Sequence, residues 1–401
     1  MVSVEEHRAL VADLVGPLPV VRAPLADCLG LVLASDLVAA ISLPPFDNSA
    51  MDGYAVHSAD LAGASREHPV TLPVAEDIPA GRTDLVPLVP GTVHRIMTGA
   101  PMPPGADAVI QVELTDAGTT TVALYAEVAP GTHVRLAGED VVAGGVVLTA
   151  GTVLGPVQLG LAAAVGSGTL PVYRRPRVLV LSTGSELVEP GEPLLPGQIY
   201  ESNGTMLSAA VRAAGGEAEL LRFVPDDVAS FHAALAGRLP GADLVITSGG
   251  VSAGAYEVVK DALTGQGVTF YRVSMQPGGP QGAGRYQGVP VVTLPGNPVS
   301  AAISFEIFVR PALLAAAGHR EVDRRRPVAT LTSAVTAPAG KRQYRRGHYQ
   351  AAQGSVEPVG GPGSHLLGAF AMANCLFVVP EEVDSLPAGA EVEVIDLDQD
   401  G

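Results

Sequence analysis

Five carboxylates stand beside turns: Asp52 in NSAMDGYA, Asp140 in GED, Glu186 in STGSEL, Asp226 in PDD, and Glu257 after SGGVSAG. Taken singly, each reads as a helix cap or a solvated turn. Grouped near glycine loops that hold phosphates, they read as neighbours of a hard divalent cation, most often Mg²⁺ with retained waters. Two stretches supply such loops, ADLVITSGGVSAGAYEVVK (242–260) and TLPGNPVSAAISFEIF (293–308). In each, a short apolar and β-branched run ends in glycine and a helix-compatible segment follows. The first N–H groups of a helix are unpaired and carry the positive end of its dipole, so a glycine-lined turn placed there grips an anion closely. Asn297 is a favoured N-cap, Pro298 suits the first helical position, and Ser252 and Ser300 add hydroxyl donors at the two mouths. The pair predicts a two-sided cradle for phosphate-like groups.

Other polar residues carry weaker signals. Thr98 in IMTGAP either closes a local turn or points at a ligand. Arg345 and Arg346, beside Tyr344 and His348, form an exposed pair or an anion clamp, while His232 and His319 read as surface or packing residues. Neither GxGxxG nor GxxxxGK is present, so TSGG is a weak signal by itself.

The elements that must position these residues follow from the pattern. Ser3 and Glu6 make a capping box for a first helix with Val4, His7, Val11, Leu14 and Val15 on one face, stopped by Pro17 and Pro19. Residues 1–43 and 135–173 form a split N-terminal domain, with a short helix from Pro156 to Val165. Between them, 44–134 is short apolar runs punctuated by Pro and Gly, a β-rich insert domain. Over 174–325, strand-like segments (RVLVLSTG, AELLRFVPDD, DLVITSGG, TFYRVSM, VPVVTLPG) alternate with helix-like ones. That alternation predicts a three-layer α/β domain with a mostly parallel sheet, whose ligands bind beyond the carboxyl ends of the strands. Residues 326–401 turn to short strands and form a small C-terminal β domain.

A chain of 401 residues exceeds the roughly 250–300 that a single core supports, so several domains are expected. Its composition, 47% hydrophobic with 47 Gly and 34 Pro, is that of a turn-rich globular protein. A net charge of −17 argues against a nucleic-acid partner and an anionic membrane surface, so any anionic substrate must be held by local donors against the field of the molecule. Cys28 and Cys375 are far apart, which excludes a disulfide framework and fits a reducing cytoplasm. MVSVEEHRAL lacks the basic and apolar regions of a signal peptide, and Val153–Val165 is too broken to span a membrane.

FDNSAMDGYAV, MTGAP, GED, STGSEL, SNGTML, SGGVSAG, LPGNPVSA and SHLLGAFAMANC, in that order over nearly the whole chain, resemble the molybdopterin molybdenumtransferase family, bacterial relatives of the gephyrin E domain. The resemblance implies an elongated homodimer of four-domain subunits, with a molybdopterin-binding α/β domain and a C-terminal β-barrel. It implies a Mg²⁺-dependent enzyme that takes adenylylated molybdopterin, releases AMP, and places molybdenum from molybdate on the dithiolene sulfurs. A molybdopterin adenylyltransferase and apo-molybdoenzymes are the implied partners. By motif, Asp52, Thr98, Asp140, Glu186, Asp226 and Glu257 are the catalytic set. Asp226 and Glu257 handle metal and phosphate, and Asp52 and Thr98 come from the insert domain, supplied by the partner subunit. The STG turn (Ser182, Thr183, Gly184), Ser248, Gly249, Gly250, Ser252, Pro295, Gly296, Asn297, Pro298 and Ser300 line the pocket, while Arg346 and Ser364 are the β domain's share of oxyanion binding.

Where relatives often have KPGKP, this chain reads Gln276-Pro277-Gly278-Gly279-Pro280, so two lysines near the oxyanion are missing. Each lost ammonium contact weakens attraction for molybdate by about 1 kcal/mol or more, with Arg272 nearby to compensate. Glu257 replaces an Asp and Gly368-Ala369 a serine pair. These departures leave room for a non-catalytic pterin carrier or scaffold, or a paralogue preferring another oxyanion such as tungstate. A nucleotide-sugar or phosphate-ester enzyme on a similar sheet is the third reading.

Overall fold

The structure is a computed structural model and describes residues 1–224, 227–250 and 258–398. Asp226, Ser252 and Glu257, all expected at the site, lie outside the described residues.

Six strands build the central sheet in the order Glu217–Val224, Arg177–Thr183, Leu244–Ser248, Val289–Leu294, Pro280–Tyr286, Val268–Arg272. The first four are parallel and the last two antiparallel. Side chains alternate across a strand. Val178 and Val180 therefore join one core layer, with Leu207, Val211 and Val299 from the helices on that face. Leu179 and Leu181 join the other, with Phe231, Leu235 and Val259. The result is the expected three-layer α/β unit.

The strand Pro280–Tyr286 is absent from the sequence expectation, because glycine is a poor strand former. Its glycines answer to close backbone approach. A Cβ on Gly284 would lie 2.1 Å from the Gly267 carbonyl oxygen, and one on Gly282 would lie 2.6 Å from Thr293 Oγ1. The helix Pro298–Ser304 runs through a π turn, Phe305–Val309, into Arg310–Ala316. The turn falls just before Pro311, which has no N–H to continue the ladder. This helix is long and apolar enough to cross a membrane by length and composition, but 78% of its apolar window is buried, as in a core helix.

The first helix, Val4–Val15, starts on the expected capping box: Ser3 Oγ accepts from the Glu6 N–H at 3.1 Å, and the Glu6 carboxylate accepts from the Ser3 N–H at 2.8 Å. Its buried face docks on the α/β core, Val4 and Val11 joining the same layer as Phe308 and Leu313. By sequence this segment groups with the split domain; by packing it belongs to the neighbouring core. In the remainder of the split unit, Val20–Pro24 pairs with Thr169–Tyr173 and Leu37–Val38 with Val146–Leu148, around Cys28, Leu33, Leu154 and Leu170. Arg174 ties this unit to the sheet, its two terminal nitrogens each donating to the Asp243 carboxylate at 2.6 Å.

The insert is a five-stranded sheet, ordered Ala108–Gln111, Gly53–Val56, Val93–Ile96, Val70–Ile78, Thr121–Leu124. The C-terminal strands close on themselves: Arg342–Gln350 pairs with Ser355–Pro358, then Val328–Leu331, Glu391–Asp396 and Cys375–Val379, which returns to Arg342–Gln350. Closure leaves a small barrel packed around Val356, Cys375 and Phe377.

Candidate functional site

Leu244–Ser248 and Val289–Leu294 are parallel neighbours with Ser248 opposite Leu294, so both glycine turns leave the sheet on one edge, side by side. The Gly249 N–H donates to the Leu294 carbonyl at 3.2 Å. A Cβ on Gly296 would sit 3.3 Å from Gly249 Cα, so the two turns are in contact. Gly249 and Gly250 have φ of +92° and +64°, where a side chain is strained. Together with the turn Thr183–Glu186 after the adjacent strand, they open onto one cleft of about 1200 Å³. Its lining also takes Gln276–Gly278 from the α/β unit and Pro362–His365 from the barrel.

The cleft thus brings together Thr183, Gly184, Glu186, Gly249, Gly250, Pro295, Gly296, Asn297, Ser300 and Ser364. The Glu186 carboxylate folds back over its own turn: a Cβ on Gly184 would lie 2.7 Å from Glu186 Oε2. Asn297 occupies the N-cap position, but its side chain makes no capping bond and instead donates from Nδ2 to Ser364 Oγ at 2.8 Å. The Val299 N–H donates to the Ser364 carbonyl at 3.2 Å. The barrel loop is therefore seated on the helix start that Pro298 opens, and Ser364 is shared between helix and cleft.

Several expected residues lie elsewhere. Ser182 and Ser248 are register neighbours buried beneath the turns; Ser182 Oγ donates to Glu201 at 2.8 Å, and Ser248 Oγ has no protein partner. Arg272 is exposed on the sheet edge and does not line the cleft, so it does not stand in for the missing lysines. Arg346 is 5% exposed and spends its terminal nitrogens on the Gly363 carbonyl (3.1 Å) and the Gly361 carbonyl, holding the loop from behind. Burial, with Arg345 beside it, holds its guanidinium below the usual arginine range. The expected anion clamp is an anchor for the loop that carries Ser364.

Asp52 and Thr98 meet in the insert, away from this cleft. The Thr98 N–H and Oγ1 both donate to Asp52 Oδ1, at 2.6 and 2.8 Å, which is the local-turn reading of Thr98. Those bonds, the N–H first, hold the Asp52 carboxyl below its ordinary value. Asp140 is exposed on the split unit's side of the junction, its N–H donating to the Leu43 carbonyl at 2.9 Å.

Other contributors had little local signal. Glu201 is buried at the start of the helix Asn203–Ala213, accepting from Ser182 Oγ and the Gly204 N–H, and so fixes the strand end below the Thr183 turn. Asn203 donates to the Gly296 carbonyl at 2.7 Å and braces the second glycine turn. His365 is the one basic side chain among the described lining residues, with a ring carbon 2.9 Å from where a Gly363 Cβ would stand. Only its place after Ser364 in SHLLG marks it in the sequence. No group of three His, Cys, Asp or Glu side chains gathers to hold a cation among the described residues, and Glu186 is the one carboxylate they contribute to the cleft. The described residues alone do not make a Mg²⁺ site.

Three family models cover the chain: the MoeA N-terminal region (domain I and II) over 2–166, a probable molybdopterin binding domain over 179–315, and the MoeA C-terminal region (domain IV) over 328–397. The chain is 54% identical over 404 residues to molybdopterin molybdenumtransferase 2 of Mycobacterium tuberculosis, covering 99% of this chain and 100% of that one. It is 39% identical over 427 residues to molybdopterin molybdenumtransferase 1 of the same organism, covering 100% of both. Its fold is similar to the crystal structure of the molybdopterin biosynthesis MoeA protein from Pyrococcus horikosii, with a TM-score of 0.83, 33% identity and 100% of both chains covered. A cleft of glycine turns on an α/β sheet, capped by a barrel loop and matched end to end by these relatives, places the chain in the molybdopterin molybdenumtransferase family.

Proposed function

We propose that this chain transfers molybdenum from molybdate to adenylylated molybdopterin, releasing AMP. The observation that carries the reading is the meeting of both glycine turns and the barrel loop around one cleft of about 1200 Å³, room for a pterin and its phosphate together. The positive end of the helix that starts at Pro298, and turn N–H groups other than those of Gly249 and Val299, which are bonded within the chain, grip the anionic groups. Ser300 and Ser364 add hydroxyls. These neutral donors work against a net charge of −17 without needing a basic surface.

Purified protein given adenylylated molybdopterin, molybdate and Mg²⁺ releases AMP and yields cofactor that reconstitutes an apo-molybdoenzyme; no AMP under those conditions refutes the reading. Mg²⁺ dependence rests on the sequence places of Asp226, in PDD, and Glu257, after SGGVSAG, and chelation is expected to abolish AMP release. The protein acts as a cytoplasmic homodimer. Asp52, Thr98 and Asp140 do not line the cleft of their own chain, and the split unit leaves Val20, Val21, Leu29, Val38, Ile41 and Val157 exposed. Sedimentation at micromolar concentration tests this. A molybdopterin adenylyltransferase supplies the substrate, and apo-molybdoenzymes receive the product.

The absence of Lys and Arg from the described lining favours a second reading, a carrier that holds pterin without turnover. Pterin binding indifferent to Asp226→Ala and to Mg²⁺ would select it. Comparing molybdate with tungstate in the reconstitution assay decides the oxyanion.

A further inference from the structure

A buried polar chain links the first helix to the cleft. Val2 pairs with Val273, its N–H donating to the Arg272 carbonyl and its carbonyl accepting from the Ser274 N–H, both at 2.9 Å. His7, fully buried, follows on the first helical turn, with Nδ1 2.7 Å from the Tyr271 hydroxyl and Nε2 2.9 Å from Gln281 Oε1. The amide oxygen of Gln281 can only accept, so Nε2 carries the proton and Nδ1 accepts from Tyr271. From Gln281, Nε2 donates onward to the Gly278 carbonyl and to Ser304 Oγ, both at 2.9 Å. Gly278, with Gln276 and Pro277, lines the cleft.

The segment at the end of this chain is held on its other sides as well. A Cβ on Gly278 would stand 2.8 Å from Ser304 Oγ, so the segment lies directly on the helix that starts at Pro298. Met275 and Gln276 pair with Arg342 and Gln343 at the start of a barrel strand, and Arg342 is bound by Glu5, two residues before His7, and by Glu381 at 3.0 Å. Buried polar groups stabilise little beyond what apolar packing of the same volume gives, while an unpaired one is costly. What such a chain contributes is position: each member has one arrangement that satisfies its neighbours.

We propose that His7 is a positioning residue for the cleft, fixing through Gln281 the Gly278 carbonyl and hence where Gln276 and Pro277 face the oxyanion. The proposal rests on the reading of the cleft as the molybdate and pterin site. The test compares His7→Phe, Gln281→Met, the two combined, and His7→Gln with the unaltered protein. It measures KM for molybdate, kcat for AMP release, and hydrogen–deuterium exchange of the amides between 274 and 282. His7→Phe and Gln281→Met are each expected to raise KM about tenfold, the worth of one misplaced hydrogen bond, with kcat within about twofold. The double variant should be no worse than the poorer single one, since both break one chain. His7→Gln, which keeps a donor for Gln281, should recover most of the loss. Faster exchange confined to 274–282 is expected in the first two variants. Unchanged exchange there overturns the proposal even if the unaltered protein releases no AMP; that latter result bears on the functional reading alone. A lowered melting temperature with unchanged KM also overturns it. If His7→Phe does not fold, Gln281→Met tests the chain from its other end.

Discussion

Replacing Gln276 with lysine asks whether this cleft captures its oxyanion without a fixed cation. Gln276 lines the cleft, is half-buried, and sits on a segment held by Met275 and Gln276 pairing with the barrel strand, so the new ammonium would be presented without rebuilding the backbone. A charge-assisted hydrogen bond is worth about 1.5–3 kcal/mol net, and ordering a lysine side chain costs up to about 2 kcal/mol. The cleft is open to water, so the middle of the resulting range, about −0.5 to 3 kcal/mol, applies rather than its top. A gain of about 1.4 kcal/mol corresponds to tenfold tighter molybdate binding. Titration calorimetry at about 0.05 and 0.5 M salt separates the charge from the contact, because exposed interactions are screened as the Debye length falls toward a few ångströms. Gln276→Lys should bind about tenfold tighter at low salt and lose most of that gain at high salt. The unaltered protein should bind no more weakly at high salt, since screening also relieves the repulsion from its net charge of −17. If the unaltered protein loses tenfold or more between the two salts, a fixed cation already holds the anion and the neutral-donor account is wrong.

Burial pulls the pKa of His7 down to about 4 against an unfolded value near 6.5, so the folded state prefers it neutral. Its contribution is fully present above about pH 6.5 and is lost as pH falls toward 4, a change of about 3 kcal/mol; urea titrations should show this slope, and His7→Phe should remove it. Gly250→Ala places a methyl at φ +64° and 2.9 Å from Val259 Cγ2, and should cost about 1–2 kcal/mol of stability together with pterin affinity. Asp243→Ala removes the carboxylate that both terminal nitrogens of Arg174 share, leaving the Arg175 carbonyl, and strands the Arg177 N–H, which should cost about 2–3 kcal/mol, read as a drop in denaturation midpoint. Arg346→Met frees the loop 361–365 and should weaken molybdate binding severalfold, and Arg346→Lys should not restore it, because one ammonium cannot span two carbonyls as a guanidinium does.

Short-range patterns in the chain were sufficient for most of the scaffold. The Ser3–Glu6 box, the alternating strands at 177–183 and 244–248, and the two glycine turns are each determined by neighbours within a few residues. Composition carried the physical problem as well: an acidic, lysine-poor chain must grip an anion with backbone. Tertiary structure decided what those pieces meet. The glycine-rich strand 280–286 makes sense only beside Gly267 and Thr293, and Asn297 leaves its capping role because Ser364 lies within reach. Arg346 turns from clamp to anchor because two loop carbonyls face it, and Asp52 pairs with Thr98 away from the cleft. A cleft whose walls come from residues as far apart as 183 and 365 depends on strand register and on one domain packing against another, and neither leaves a local trace in the sequence.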